Sequence, residues 1–389
     1  MLNLHKLLHA QAQDGTFYSE INPTDEQREF LRACRNKVRD HLREGIADAT
    51  TTVLGMSTKV TPRFRTQGSW NYDTCVQACH LPPQEMDWDF GVYLPVDVWK
   101  ENGPPERMAK AYFVLVEHLL SDLCDNEDWQ LITDKDTCSR IQVASWAHMD
   151  VPLYAASAEE FAKVVENVRL AKAYETMIFE SATADSVEVQ RQTWDELEAV
   201  VLATRDGLWK HSDPNDVATW FQDRLNEAGN HARQLRRVCR YVKAWRDFHW
   251  RNGGPTSISL MIAVAREFNG VTGRDDIALQ RAAEQLVAAL AGNIYEAGID
   301  EGKEDFNRLN ADQRREASAR AGLLAGAVER GRNLQYSSRY DAITGLRAHL
   351  GSRVPNEPDW IEIDSSNDDI RRVPATKVSK PAVGASKAG

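Results

Sequence analysis

The chain has 389 residues, 42% hydrophobic and 27% charged, which is material for two or three domains with sizeable cores. Its 47 Lys and Arg face 58 Asp and Glu, a net −11 that argues against a surface built to coat nucleic acid, so an anionic partner must be met locally. No run approaches the roughly 18 apolar residues of a membrane span. The start, MLNLHKLLHAQAQDG, has neither a basic leader nor a small-residue cleavage site, so the expected address is the cytoplasm, with no membrane partner. Six cysteines are too few for a disulfide scaffold and are expected as free thiols. Cys75, Cys79 and His80 lack the second ligand pair of a closed zinc site.

In chain order, the first fifty residues predict a short helix, a turn from Gly15 to Pro23, and a long polar helix from near Thr24, with Gln27 completing a capping box. From Val60 to Ala156 the segments RFRTQGS, DWDFGVYLP, DWQLIT, RIQVAS and HMDVPLY have the alternation or composition of strands. Between the second and third, Met108, Ala111, Tyr112, Leu115, Leu119 and Leu123 mark one face of a helix over Pro104 to Cys124. Beyond about residue 157 the pattern reads as mostly helical. Asp213 and Pro214 resemble an N-cap and an N1 proline. Leu235, Val238, Val242 and Trp245 form the buried stripe of a helix from His231 to Trp250. Further helical stretches are expected from Asp276 to Ala297 and from Ala311 to Leu350, then a flexible, proline-bearing tail from about Arg353.

Met-Asp-Trp-Asp at 86 to 89 is the sharpest chemical feature. In a strand it puts Asp87 and Asp89 on one face and Trp88 on the other. Two such carboxylates repel unless cations lie between them, a geometry that Mg²⁺ accepts while keeping sites for substrate phosphates. His148-Met149-Asp150 supplies a third carboxylate if its strand is a neighbour. Three aspartates around two ions would suit in-line displacement at phosphorus. Should the Asp150 carboxylate be tied in a structural ion pair out of reach, only a nucleotide binder would remain. Upstream, Gly68 and Ser69 sit at a strand-to-helix turn fit to approach a phosphate. The segment His231 to Arg251 is strongly basic, and Arg236, Arg240 and Lys243 share a helical face suited to a polyphosphate, as does Ser257 near the next helix start.

The segments QGSWNYDT, PPQEMDWDFGVYLP, DTCSRIQVASWAHMDVPLYA, WKHSDPNDVATWF and VCRYVKAWRDFHWRNGGPTSISLM, in order between residues 67 and 262, resemble the bacterial cGAS/DncV-like nucleotidyltransferases, in particular their Vibrio-type branch. The resemblance implies an α+β fold: a DNA-polymerase-β-like core over 1–205 with an N-terminal scaffold helix, a helical domain over 206–352 and a tail over 353–389. It implies that Asp87, Asp89 and Asp150 are catalytic and hold two Mg²⁺ ions, with Mn²⁺ as a substitute. Gln67, Gly68 and Ser69 would hold donor phosphates, Lys243 and Ser257 would grip the triphosphate, and Tyr72 would stack on a base. Arg140, Ser212 and Asp213 would read a purine pair that includes guanine. The segment between Arg140 and Asp150 is a residue shorter than in the family, a change the hairpin turn would absorb. ATP and GTP are the implied substrates and 3′,3′-cyclic GMP-AMP the implied product, with no nucleic acid required. The alternatives are another cyclic or linear oligonucleotide product, or a silent nucleotide sensor. The family further implies antiphage signalling through a separate effector, and a ubiquitin-transfer-like enzyme that conjugates the C-terminus, here Gly389.

Overall fold

The computed structural model describes residues 1–11, 13–52, 58–95, 105–156, 161, 200–211, 214–300 and 302–364. Strand β1 (Leu2–Asn3) leads into helices α1 (His5–Leu8), α2 (Phe17–Ile21) and α3 (Asp25–Thr52). The capping box forms: Thr24 N–H donates to Gln27 Oε1 at 2.8 Å and Gln27 N–H to Thr24 Oγ1 at 3.2 Å. Helix α2 lies inside the expected Gly15 to Pro23 turn, where Thr16 caps it and Phe17 and Ile21 are buried.

Strands β2 (Arg63–Thr66) and β3 (Met86–Pro95) flank helix α4 (Gly68–Asn71), and helix α5 (Pro105–Glu127) precedes β4 (Gln130–Ile132), β5 (Cys138–Ala144) and β6 (Ala147–Ala156). The sheet runs β2-β3-β6-β5-β4, with β3 and β6 parallel at its centre. Leu31, Cys34, Val38, Leu42 and Ile46 of α3 recur at spacings of three and four, and with the apolar face of α5 they cover one side of the sheet in a single core.

A strand pair follows within the region expected to be mostly helical: β7 (Val200–Ala203) and β8 (Trp209–His211). β7 pairs with the C-terminal end of β6, a free edge that local sequence does not reveal. The remaining helices are α6 (Pro214–Ala228), α7 (Ala232–His249), α8 (Ser257–Ala265), α9 (Asp275–Ala291), α10 (Ala297–Asp300), α11 (Ala311–Asn333) and α12 (Arg339–Leu350). The stretch expected as one helix from Ala311 to Leu350 thus breaks after Asn333.

Helices α6 to α12 share a second core with Leu2, Leu4, Leu7, Leu8, Phe17 and Ile21, so the first residues pack on the helical half rather than on the sheet. The predicted stripe of Leu235, Val238, Val242 and Trp245 is fully buried. Residues 353–364 are not a flexible tail. Val354 and Ile361 are buried, and strand β9 (Glu362–Ile363) pairs with β1. All six cysteines are free thiols, and no helix among the described residues is long and apolar enough to cross a membrane.

Candidate functional site

Two rows of side chains cross the middle of the sheet. Asp87 pairs with His148 and Asp89 with Asp150 across the parallel β3–β6 ladder. On the other side of β6, antiparallel β5 puts Gln142 opposite His148 and Arg140 opposite Asp150. Directly paired residues share a face, so the rows are Asp87–His148–Gln142 and Asp89–Asp150–Arg140. Trp88 faces the other way and stacks on Trp70 at 4.5 Å. The register shift lies between Gln142 and Ala144, beside the hairpin, and leaves Arg140 facing Asp150.

Asp150 carries two cations. Arg140 Nε and Nη2 donate to its two oxygens at 2.7 and 2.9 Å, and Lys135 Nζ donates at 2.6 Å. Burial works to raise its carboxyl, but these partners outweigh it and hold the group below the usual carboxylate range. Asp89 is the reverse case: burial, then the charges of Asp87 and Asp150, push it well up. His148 Nδ1 lies 2.7 Å from Glu85 Oε2, and its Nε2 lies 3.1 Å from Asp87 Oδ1. Burial alone would lower this imidazole, yet its carboxylate neighbours raise it. Asp87 Oδ1 is buried and makes no aligned hydrogen bond, its contact with His148 Nε2 being an ion pair. Ligand atoms of Asp87, His148 and Asp150 lie within 4.8 Å of one another. A buried carboxylate oxygen without an aligned hydrogen bond, beside a proton-seeking Asp89, fits a hard cation.

The turn before β3 is shaped by the same carboxylates. Gly68 has φ +60, and a Cβ there would lie 2.1 Å from Asp89 Oδ2. Only glycine satisfies both demands. The Gln67 carboxamide is committed to the sheet: its Nε2 donates to Tyr93 Oη at 2.7 Å and its Oε1 accepts from Tyr154 at 3.2 Å. Ser69 accepts from Thr74 N–H through its backbone oxygen at 2.8 Å.

A cleft of about 1420 Å³ separates this face from the helical half. Gln67, Gly68, Ser69, Tyr72, Asp87 and Asp89 line it from the sheet side, and Lys243 and Ser257 from the helices. Tyr72 meets Phe221 edge-on at 6.0 Å, and burial followed by the Asp89 charge raises its phenol. Lys243 is buried, donates to Thr74 O at 2.8 Å, and has its ammonium pKa lowered by burial. Ser257 takes Arg246 Nη2 at 3.4 Å on its hydroxyl, while the neighbouring Thr256 caps α8.

Asp150 and Arg140 lie beside the cleft rather than on its wall. The Arg140 guanidinium, expected at a base edge, is spent on Asp150. Arg240, expected to face a polyphosphate, is 2% exposed and bonded to Asp73, Tyr18 and the Cys75 carbonyl. Ser212, Asp213 and Gly389 fall outside the described residues. Sequence reasoning missed Glu85, His148, Lys135 and Arg246. Arg246 had a signal as a member of the basic run, and His148 had one through strand alternation with Asp150.

Residues 62–154 match the family described as cyclic GMP-AMP synthase DncV-like, nucleotidyltransferase domain, and residues 232–362 match cyclic GMP-AMP synthase, C-terminal domain. A cyclic GMP-AMP synthase of Escherichia coli is 38% identical over 319 residues, which is 77% of this chain and 69% of the relative. One of Vibrio cholerae is 40% identical over 230 residues, 58% of this chain, which spans half the length of that relative. The crystal structure of Vibrio cholerae DncV cyclic AMP-GMP synthase superposes with a TM-score of 0.71 at 24% identity, covering 94% of this chain and all of that one. A variant of that cyclase in complex with ATP, GTP and 5MTHFGLU2 superposes equally well at 26% identity, covering 93% and 99% of the two chains. With both family regions in order on the two halves that bound the cleft, the chain belongs to the DncV-like cyclic GMP-AMP synthase family of nucleotidyltransferases.

Proposed function

We propose that this protein joins ATP and GTP into a cyclic dinucleotide, with 3′,3′-cyclic GMP-AMP as the favoured product. The observation that carries the reading is the opposition of the Asp87–Asp89 face to Lys243 and Ser257 across one cleft. Asp87 and Asp89 would hold the Mg²⁺ ions, which supply charge neutralisation and activation of a hydroxyl. The chain's own residues orient the reactants. Lys243 and Ser257 hold a triphosphate, Ser69 and the Gly68 backbone approach the phosphate under attack, and Tyr72 flanks a base. The 3′-hydroxyl of one nucleotide displaces pyrophosphate from the other, and a second displacement closes the ring. Asp150 enters this scheme once Lys135 and Arg140 yield its oxygens. The two domains of the reading are the sheet-bearing and helical halves. The product would act on a separate effector in antiphage defence, and Gly389 would be the point of conjugation.

Purified protein incubated with four NTPs and Mg²⁺, followed by chromatography and mass spectrometry, tests the proposal. We expect a phosphatase-resistant product containing one guanine and one adenine. A product from ATP alone would remove the guanine assignment. A second reading, a nucleotide sensor without turnover, is favoured by the two cations already on Asp150. It predicts bound nucleotides recovered unchanged, with binding that survives Asp87→Asn combined with Asp89→Asn.

A further inference from the structure

A second cavity of about 740 Å³ lies between the start of α7, residues just after α1, and the turn at Thr272–Gly273, and shares no lining residue with the cleft. Its wall is cationic. Arg233, Arg236, Arg237 and Arg240 line it against Asp73, with Asp275 behind Arg237, which leaves a local positive excess in a chain of −11. His9, His231 and the Tyr18 phenol also line it. Burial and then Arg237 lower His9 to about 4, so it is neutral at physiological pH.

The four guanidinium groups are not equivalent. Arg237 is bidentate to Asp275 at 2.6 and 2.9 Å. Arg240 divides its donors among Asp73 at 2.6 Å, Tyr18 Oη at 2.8 Å and Cys75 O at 3.3 Å. Arg233 is exposed and has no hydrogen-bond or ion-pair partner among the described residues. The Nδ1 of His9 is buried without a hydrogen-bond partner, and the ring of His9 meets that of Tyr18 edge-on at 5.2 Å. Guanidinium forks match phosphate oxygens, and aromatic rings at the same cavity offer faces to a heterocycle.

We propose that this cavity is a second ligand site, for a small molecule bearing two or more phosphates, held chiefly by Arg233, with Arg236 on the same wall, and felt in the cleft through Arg240 and Asp73. The wiring is short. Asp73 sits at φ +53, a left-handed conformation that a non-glycine residue adopts at a cost, and Arg240 grips its carboxylate. The residue before it is Tyr72, and the residue after it is Thr74, whose carbonyl receives Lys243. A polyphosphate that draws on Arg240 weakens the hold on Asp73, so the Tyr72–Thr74 wall of the cleft loosens with occupancy. By linkage, a nucleotide that orders that wall changes the affinity of the second cavity by the same factor.

Calorimetric titration of the full chain without divalent metal, first with inorganic tripolyphosphate and then with ATP, tests the site. The proteins are the wild type, Lys243→Met to weaken the cleft, and Arg233→Ala combined with Arg236→Ala. We expect Lys243→Met to retain a binding event that the double arginine variant weakens by about tenfold or more. Tighter ATP than tripolyphosphate in that event assigns a nucleotide seated on the rings, and the opposite order assigns an inorganic polyphosphate. Hydrogen exchange should show the Thr74 amide, bonded to Ser69 O, accelerating when tripolyphosphate binds wild type but not the double variant. Arg233→Ala alone, at an exposed position, keeps the test available if the double variant unfolds. Wild-type affinity in the arginine variants, or loss of every binding event in a folded Lys243→Met protein, overturns the site. Unchanged Thr74 exchange overturns the coupling.

Discussion

A methyl group added at Gly68 would lie 2.1 Å from Asp89 Oδ2 on a backbone already at φ +60. Gly68→Ala is therefore expected to lose about 1–2 kcal/mol in urea unfolding from the left-handed conformation alone. Nucleotidyl transfer should fall by about tenfold or more, because Asp89 must move. Asp87→Asn with Asp89→Asn should lower pyrophosphate release by about 10²-fold or more, given the several kcal/mol that metal-assisted charge stabilisation supplies. Lys135→Met removes one of the two cations on Asp150. It should tighten Mn²⁺ binding, read by electron paramagnetic resonance, by about tenfold. Unchanged affinity would separate Asp150 from the cation site. The Asp-x-Asp spacing was legible because strand alternation is local. The Arg140–Asp150 pair and the Glu85–His148–Asp87 chain were not, because each joins residues whose proximity depends on strand register.

Helix α7 shows how one basic run is divided by geometry. Successive residues turn by about 100°, so its cations leave in different directions. Lys243 and Arg246 reach the cleft, Arg240 pins the turn at Asp73, Arg233 and Arg236 line the second cavity, and Arg237 meets Asp275. The helix and its buried stripe were readable from spacing, whereas the destination of each charge was not. Asp275 is fully buried and accepts from Arg237, Gln234 at 2.8 Å and Tyr241 at 2.8 Å. Burial opposes its ionisation, but Arg237 and Gln234 outweigh it and depress the pKa. A carboxyl depressed in the folded state contributes stability above its unfolded value of about 3.9, lost as pH falls through the folded value. Urea midpoints should thus decline in wild type below about pH 4. Asp275→Asn should cost about 3–5 kcal/mol at pH 7, since it leaves Arg237 unpaired, and should flatten that decline.

At the scale of the whole molecule, the two ends of the described chain close on each other. Strand β1 pairs with β9, Leu4 N–H donates to Asp276 Oδ2 at 3.1 Å, and Arg274 joins Asp276 to Asp364. Leu4 is fully buried, so Leu4→Ala should cost about 2–5 kcal/mol by urea denaturation and open both ends to limited proteolysis. Wild-type stability and protease resistance would show that the clasp contributes nothing. Residue order by itself determined most of the long helices, five of the seven strands of the main sheet and the carboxylate face. Capping, apolar periodicity and two-residue alternation act over a few neighbours. Only the tertiary structure decided that residues 2–21 join the helical core, that Asp150 carries Arg140 and Lys135, and that the basic helix serves two cavities. These outcomes depend on contacts between residues from 10 to 272 positions apart, which packing and strand register select and local pattern does not record.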